Sequence, residues 1–310
     1  MNICTDDLIQ KMGPNTMVLN MGPQHPSTHG VLRVILELDG ETVVKAIPDI
    51  GYLHTGIEKT MESKTYAQVI PLTDRMDYVA SLSNNLAYLL SVEKLLDIQV
   101  PPKAKYIRVI LTELTRLASH LVWVGSHAHD IGAMTVLLYS FREREKLLDI
   151  FELCSGQRMM TSYFRIGGLA QDIPDGFEAR IREVVETFPD KIDEYEKLLT
   201  KNRIWINRTK GVGVISAEDA IDWGISGPIL RATGVKWDIR KSNPYSGYDK
   251  FEFDIPTRTN GDVYDRYLVR VEEMRQSLRI VRQALDGIPQ GDFVARVPGV
   301  VLPPKEQVVS

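Results

Sequence analysis

Three groups of residues in this 310-residue chain have the types and spacing to do chemistry. The first is the run Gly22-Pro23-Gln24-His25-Pro26-Ser27-Thr28-His29-Gly30, where two imidazoles and two hydroxyls crowd a loop punctuated by proline and glycine. Loops held between rigid strands carry function more often than the elements they join, and an imidazole there can take or give a proton near neutral pH. The same residues could equally cap backbone groups at the entry to a hairpin. His25 and His29 stand at helical spacing for a shared metal, but Pro26 disfavours helix at His25 and weakens that reading.

The second group is His120, His127, His129 and Asp130. Imidazole and carboxylate together suit a metal site, yet His127 and His129 are two apart and point to different faces of any regular helix. A packed core or connection histidine is the alternative for each. Asp130 differs in kind, because a carboxylate inside an apolar run must be paired or hydrogen-bonded if it is buried; a histidine is the natural partner. The third group is Asp74-Arg75-Met76-Asp77-Tyr78. Acidic residues in a first helical turn suit the macrodipole. Tyr78 is either a core residue or the donor of a phenol proton, and the residues alone leave both open.

These groups must be positioned by elements that the hydrophobic pattern announces. From Thr16 to about Ile50 the period is two: a strand in TMVLNMG, then VLRVILELDG and ETVVKAIPD around the turn Asp39-Gly40, a hairpin signal. From Gly51 the period becomes helical. Helices are expected over Asp74–Leu96, with Thr73 or Asp74 as N-cap, over Lys105–Val124 and over Asp130–Leu153, the last two joined by Gly-Ser-His-Ala-His. Further helices are expected over Phe177–Leu199, from a Ser216/Asp219 cap to Gly224, and over Val263–Asp286, while Gly234–Gly261 reads as turns and short strands. The tail from Val297 to Ser310 carries no packing signal. The expected class is α+β, a small N-terminal β region (residues 1–50, holding the HPSTHG loop) packed beside a mainly helical domain (51–310).

Composition excludes several function classes. With 37 Lys+Arg against 41 Asp+Glu the net charge is −4, too small to create a one-sign field for nucleic acid. Hydrophobic residues at 44% and charged residues at 25% exclude disorder, collagen-like repetition and a coiled coil. The longest stretch without Lys or Arg, Leu117–Phe141, holds three histidines, Asp130, Gly125 and Gly132 and is rejected as a membrane span. No GxGxxG, GxxxxGK[ST], HExxH or GxSxG occurs, and Gly211 with Gly213 is only a small glycine pair. Two distant cysteines, Cys4 and Cys154, form no CxxC and encode neither a disulfide framework nor a thiolate metal site; together with an N-terminus lacking an apolar signal segment, they indicate a reduced, cytoplasmic chain.

Taken in order, GPQHPSTHG, GYLHTGIEKTME, DRMDY, TELTRLASHL, FREREK, RIGG, NRIW and YDRYLVRVEEMRQS resemble the D-subunit family of proton-pumping NADH:quinone oxidoreductase, respiratory complex I, over essentially the whole chain from Met17. The resemblance implies the fold of the [NiFe]-hydrogenase large subunit with a different centre: DRMDY occupies the region of the first hydrogenase CxxC pair, and no thiolate replaces it. It implies that the vacated site is the head of a quinone cavity at the boundary with the iron–sulfur B subunit. It implies that His29 and Tyr78 hydrogen-bond the quinone headgroup and that Asp130 partners the histidine, so that those two side chains lie close together. A quinone taking two electrons needs two protons, and an imidazole and a phenol are the donors on offer.

The resemblance further implies that this chain binds no cofactor itself, with quinone as substrate and NAD and the iron–sulfur clusters in partner subunits. The expected partners are the B and C subunits of the peripheral arm and membrane-arm subunits at the quinone entrance, with no nucleic acid. The expected place is the cytoplasmic side of the cell inner membrane, as a peripheral protein coupled to proton translocation. The alternative in the same superfamily is the large subunit of a membrane-bound hydrogenase or of a ferredoxin-fed complex, against which the absent CxxC pairs argue. Two departures stand out. Where some relatives carry a histidine near the partner's cluster this chain has Met160, and relatives continue beyond PPKEQVVS, so the chain is expected to be C-terminally incomplete. Elemental analysis of the purified chain is expected to find no stoichiometric iron, nickel or zinc; finding any of them would revive the hydrogenase or a metal-dependent hydrolase.

Overall fold

Alternation of apolar and polar residues draws the N-terminal segment into an antiparallel sheet of three strands, β1 (Met17–Met21), β2 (Arg33–Asp39) and β3 (Thr42–Asp49), in that order. Asp39 pairs with Thr42, leaving Gly40 and Glu41 as a two-residue turn with Gly40 at φ 59°, a conformation glycine adopts without strain. The computed structural model describes residues 16–297, and the chain divides into two units, Met1–Glu62 and Ser63–Ser310. Cys4 and the tail beyond Val297 lie outside the described residues. The first unit holds the sheet and the short helix α1 (Ile57–Met61).

The second unit is helical. Its elements are α2 (Tyr66–Thr73), α3 (Ser81–Leu95), α4 (Pro102–Asp130), α5 (Met134–Ser155), a two-residue pair β4 (Phe164–Arg165) and β5 (Gly168–Leu169), α6 (Phe177–Leu199), α7 (Arg203–Thr209), α8 (Ala217–Asp222), α9 (Gly227–Ala232), α10 (Ile239–Ser242) and α11 (Val263–Asp286). This is the α+β mixture expected. The helix α4 runs 29 residues from a proline-initiated first turn and is buried along most of its length, supplying Ile107, Ile110, Leu114, Leu117 and Leu121 to the core. At Gly125 a Cβ would stand 3.2 Å from Leu137 and Ser140, so glycine lets α4 and α5 close on each other. No helix among the described residues is long and apolar enough to cross a membrane.

Three expectations need correction. The helix expected over Asp74–Leu96 begins only at Ser81, and Asp74 is the C-cap of α2 rather than an N-cap. The carbonyl of Asp77 takes the Ala80 amide and the Asn84 side chain while its carboxylate takes the Val79 amide, local bonds that compete with helix. The expected break at Gly-Ser-His-Ala-His does not occur: α4 continues through His127 and His129 to Asp130, and the chain turns at Gly132 (φ 103°) instead. Finally, Gly234–Gly261 forms no strand among its described residues; it holds α10 and a 3₁₀ turn, Tyr248–Lys250.

The RIGG motif has a structural reason. Glu93 from α3 and Arg108 from α4 form a buried bidentate pair at 2.9 and 2.7 Å. The guanidinium also donates to the carbonyls of Arg165 (2.8 Å) and Gly168 (3.0 Å), and the glutamate accepts the Gly167 amide (2.8 Å). A Cβ at Gly168 would meet the Phe293 carbonyl oxygen at 2.2 Å, because Leu169 donates to that carbonyl across a strand-like contact. Arg108→Ala would strand a buried carboxylate and two carbonyls, and is expected to lower unfolding stability by about 3–5 kcal/mol, with Arg108→Lys restoring little because it lacks the planar fork. Urea titration of the purified variants checks this.

Candidate functional site

The HPSTHG loop is a single 3₁₀ turn, Pro26–Thr28, in the first unit. His25 Nδ1 accepts the Ser27 amide at 3.1 Å, and Thr28 Oγ1 donates to the carbonyls of Pro23 and His25. The capping reading is therefore the right one for His25, and the helical metal pair with His29 is not formed. His29 ends the turn in the left-handed region (φ 52°), its amide donating to Pro26 O, with an exposed side chain. A non-glycine residue there marks a position held by its surroundings.

Tyr78 belongs to the second unit and sits on the turn 74–80, with 52% of its surface exposed. It is neither on a helix nor in the core. The turn leaves the fold at a buried residue and re-enters it at another. At one end the Asp74 carboxylate accepts the amide (3.1 Å) and hydroxyl (2.5 Å) of Ser162; at the other, Ser81 Oγ donates to Met159 O at 2.6 Å. Burial pushes the Asp74 carboxyl pKa up, against the Ser162 bonds that lower it. Met160 lies between those two anchor residues, partly buried.

Asp130 is the last residue of α4 and is exposed, so the premise of a buried carboxylate does not hold in this chain. The histidines of its group are not gathered around one point. His120 donates through Nε2 to Glu273 at 2.9 Å, while His127 is stacked on Trp123 (4.9 Å) and meets Trp205 edge-on (5.3 Å). Burial lowers the pKa of His127, and Asp130 one turn away opposes the shift. His129 faces solvent. Among the described residues no group of three His, Cys, Asp or Glu is placed to hold a metal ion.

The seam between α4 and α11 holds the strongest electrostatics. Glu113 is without solvent contact; burial alone would raise its pKa, but Arg116, Arg240 (3.0 Å) and hydrogen bonds from Tyr248 (2.6 Å) and Ser277 (2.7 Å) hold it well below the usual carboxylate range. Glu273 on α11 is treated alike: His120 and Arg231 (2.5 Å) overcome burial and bring it to about 2. Burial also pushes the His120 pKa down, against the Glu273 carboxylate, which raises it. Sequence reading missed the Asp74–Ser162 and Ser81–Met159 ties altogether. The available signal was Pro71 three residues before Asp74, which makes a fresh long helix starting there less natural than the end of a short one.

Two comparisons bear on these residues. The family model described as "Respiratory-chain NADH dehydrogenase, 49 Kd subunit" matches residues 130–310. The chain is 64% identical over 296 residues to a D-type subunit of NADH-quinone oxidoreductase from Solibacter usitatus (strain Ellin6076), covering 96% of this chain and 72% of that protein. It is 62% identical to the corresponding NADH-quinone oxidoreductase chain of Geotalea uraniireducens (strain Rf4) and 61% identical to that of Geobacter metallireducens, in each case over 95% of this chain and 75% of the relative.

The seam makes stability depend on acid in a definite direction. Glu273 ionises at about 2 when folded against 4.5 ordinarily, so its contribution is present above about pH 4.5 and is lost as pH falls toward 2. The lowered His120 acts with the same sign, since the unfolded chain takes up that proton first as pH drops through 6.5. Urea midpoints are expected to fall from pH 7 to pH 3. Glu273→Gln should be less stable at pH 7 by about 3–5 kcal/mol, because Arg231 loses its counter-charge, with a shallower dependence between pH 5 and 3. An unchanged slope would contradict the assignment.

Proposed function

The chain belongs to the family of the 49-kDa subunit of respiratory-chain NADH dehydrogenase, and from this we propose that it serves as the quinone-site subunit of an NADH:quinone oxidoreductase. It is part of the oxidoreductase rather than an enzyme by itself. Electrons reach the quinone from an iron–sulfur cluster of the B subunit, and this chain contributes hydrogen-bond donors, protons and shape. The C subunit and membrane-arm subunits complete the site and its entrance at the cytoplasmic face of the inner membrane, where quinone reduction drives proton translocation.

The observation that carries this reading is the placement of Tyr78: a half-exposed phenol on a turn whose ends are buried and hydrogen-bonded. Such a side chain offers a polar tip to a ligand while its ring covers apolar surface. Tyr78 donates to one quinone carbonyl and His29 to the other, each positioned to pass a proton as the ring takes two electrons. Asp130 acts as the carboxylate partner of the histidine, accepting a hydrogen bond from the imidazole and so fixing which ring nitrogen is presented to the quinone. Each quinone oxygen gains one hydrogen, and the donors are reloaded from water.

Tyr78→Phe keeps the ring and removes only the hydroxyl. In the assembled enzyme its apparent quinone affinity is expected to weaken by about 2- to 12-fold, the scale of one neutral hydrogen bond of about 0.5–1.5 kcal/mol; a larger fall in turnover would add proton donation. Asp130→Asn is expected to leave assembly intact and depress quinone turnover. Steady-state assays with short-chain and long-chain quinones check both, and unchanged kinetics for Tyr78→Phe would remove the tyrosine from the site.

A further inference from the structure

The turn 74–80 is tied at both ends to one short segment, Met159–Ser162, and its other side-chain bonds are local, such as Asn84 to the Asp77 carbonyl and Arg75 to the Pro71 carbonyl. Asp74 reaches Ser162 twice and Ser81 reaches the Met159 carbonyl, across 88 and 78 residues of sequence. Between these ties Arg75, Met76, Asp77 and Tyr78 are all exposed, so no core packing of their own locates them. The turn that carries the Tyr78 phenol is thus located in the fold by the two anchors, four residues before it and three after, with the local bonds at Asp77 shaping the chain between them.

The chemistry at the anchor is more demanding than packing requires. A carboxylate is costly to bury, and Asp74 uses only one oxygen on Ser162, while Oδ1 reaches no hydrogen-bond partner. Ser162 itself is held at φ 41°, in the left-handed region that side chains rarely adopt, and Thr161 beside it buries an unpartnered hydroxyl. Strain and unmet polar groups of this kind persist where the surroundings over-determine a geometry, and they gather at functional sites.

We infer that Asp74 and Ser81 are positioning residues for Tyr78, holding its phenol in place for the quinone by clamping its turn to the Met159–Ser162 segment. This rests on the reading of Tyr78 as a quinone ligand. The Asp74 carboxylate acts as an acceptor and touches no substrate, so an amide oxygen in the same place serves as well.

The test is a double-mutant cycle in the assembled enzyme, with quinone KM and kcat measured using a short-chain quinone and NADH oxidation by a hydrophilic artificial acceptor as the control for intact electron input. Asp74→Ala is expected to raise quinone KM about fivefold, the scale of one misplaced hydrogen bond, with artificial-acceptor activity retained. Asp74→Asn should stay within about twofold of the parent. In a Tyr78→Phe background Asp74→Ala should add nothing further, because both changes remove the same contact. Ser81→Ala, with Ser81→Thr as its rescue, must show the same loss and the same non-additivity, and it decides the matter if Asp74→Ala fails to assemble. Additive penalties, or an unchanged quinone KM in Ser81→Ala and Asp74→Ala while Tyr78→Phe is impaired, would overturn the clamp and leave the quinone reading standing. A silent Tyr78→Phe would overturn that reading, and the clamp with it.

Discussion

A carboxylate with no access to water must be met by cations or by several donors, and Glu113 and Glu273 place that demand at the centre of the helical unit. Arg240 answers it from α10, Tyr248 from the 3₁₀ turn, Arg231 from α9 and His120 from α4 itself. Segments with little regular structure, from about 225 to 261, are therefore held against α4 and α11 by charge rather than by apolar area alone. Removing either carboxylate leaves buried arginines without their counter-charge, a costly arrangement. It pins the middle of α4, from Glu113 to His120, against α9, α10 and α11.

The same principle recurs at the other side of α4. Arg108 and Glu93 do not simply neutralise each other; they direct their remaining hydrogen-bonding capacity to the backbone of Arg165, Gly167 and Gly168, which places the stretch just after Met159–Ser162. Tyr78 then stands on a turn fastened to Met159 and Ser162, immediately ahead of that stretch. Helical packing, buried ion pairs and two side-chain ties form one chain of constraint ending at an exposed phenol. An electron carrier is not needed for this role. Positioning a proton donor against a substrate reduced by a neighbour's electrons asks only for a rigid support and a group of suitable acidity.

The strand pattern and the longer helices were legible because they depend on period and local turn chemistry, as at Gly40 and in the apolar stripe of α4. The turn 74–80 was not. Two aspartates ahead of an apolar run look like a helix N-terminus, and only Ser162, 88 residues further on, draws Asp74 out of that role. The end of α4 was misread for the converse reason: Gly, Ser and His in succession look like a connection, yet Arg270 lying 4.1 Å over Trp123 and His127 packed between two tryptophans keep the helix going. His29, Tyr78 and Asp130 were singled out as chemically able by their types, but their assignment to a quinone came from the family resemblance. Exposure of all three in this chain is compatible with partners that local sequence does not encode.

Whether Tyr78 meets the quinone itself can be seen by electron cryo-microscopy of the assembled enzyme with a short-chain quinone bound. The Tyr78 hydroxyl is expected within about 2.5–3.0 Å of one quinone carbonyl oxygen, the range of an O–H···O bond. A headgroup seated in the same cavity with both carbonyls bonded to other residues, and the Tyr78 hydroxyl out of reach, would contradict it.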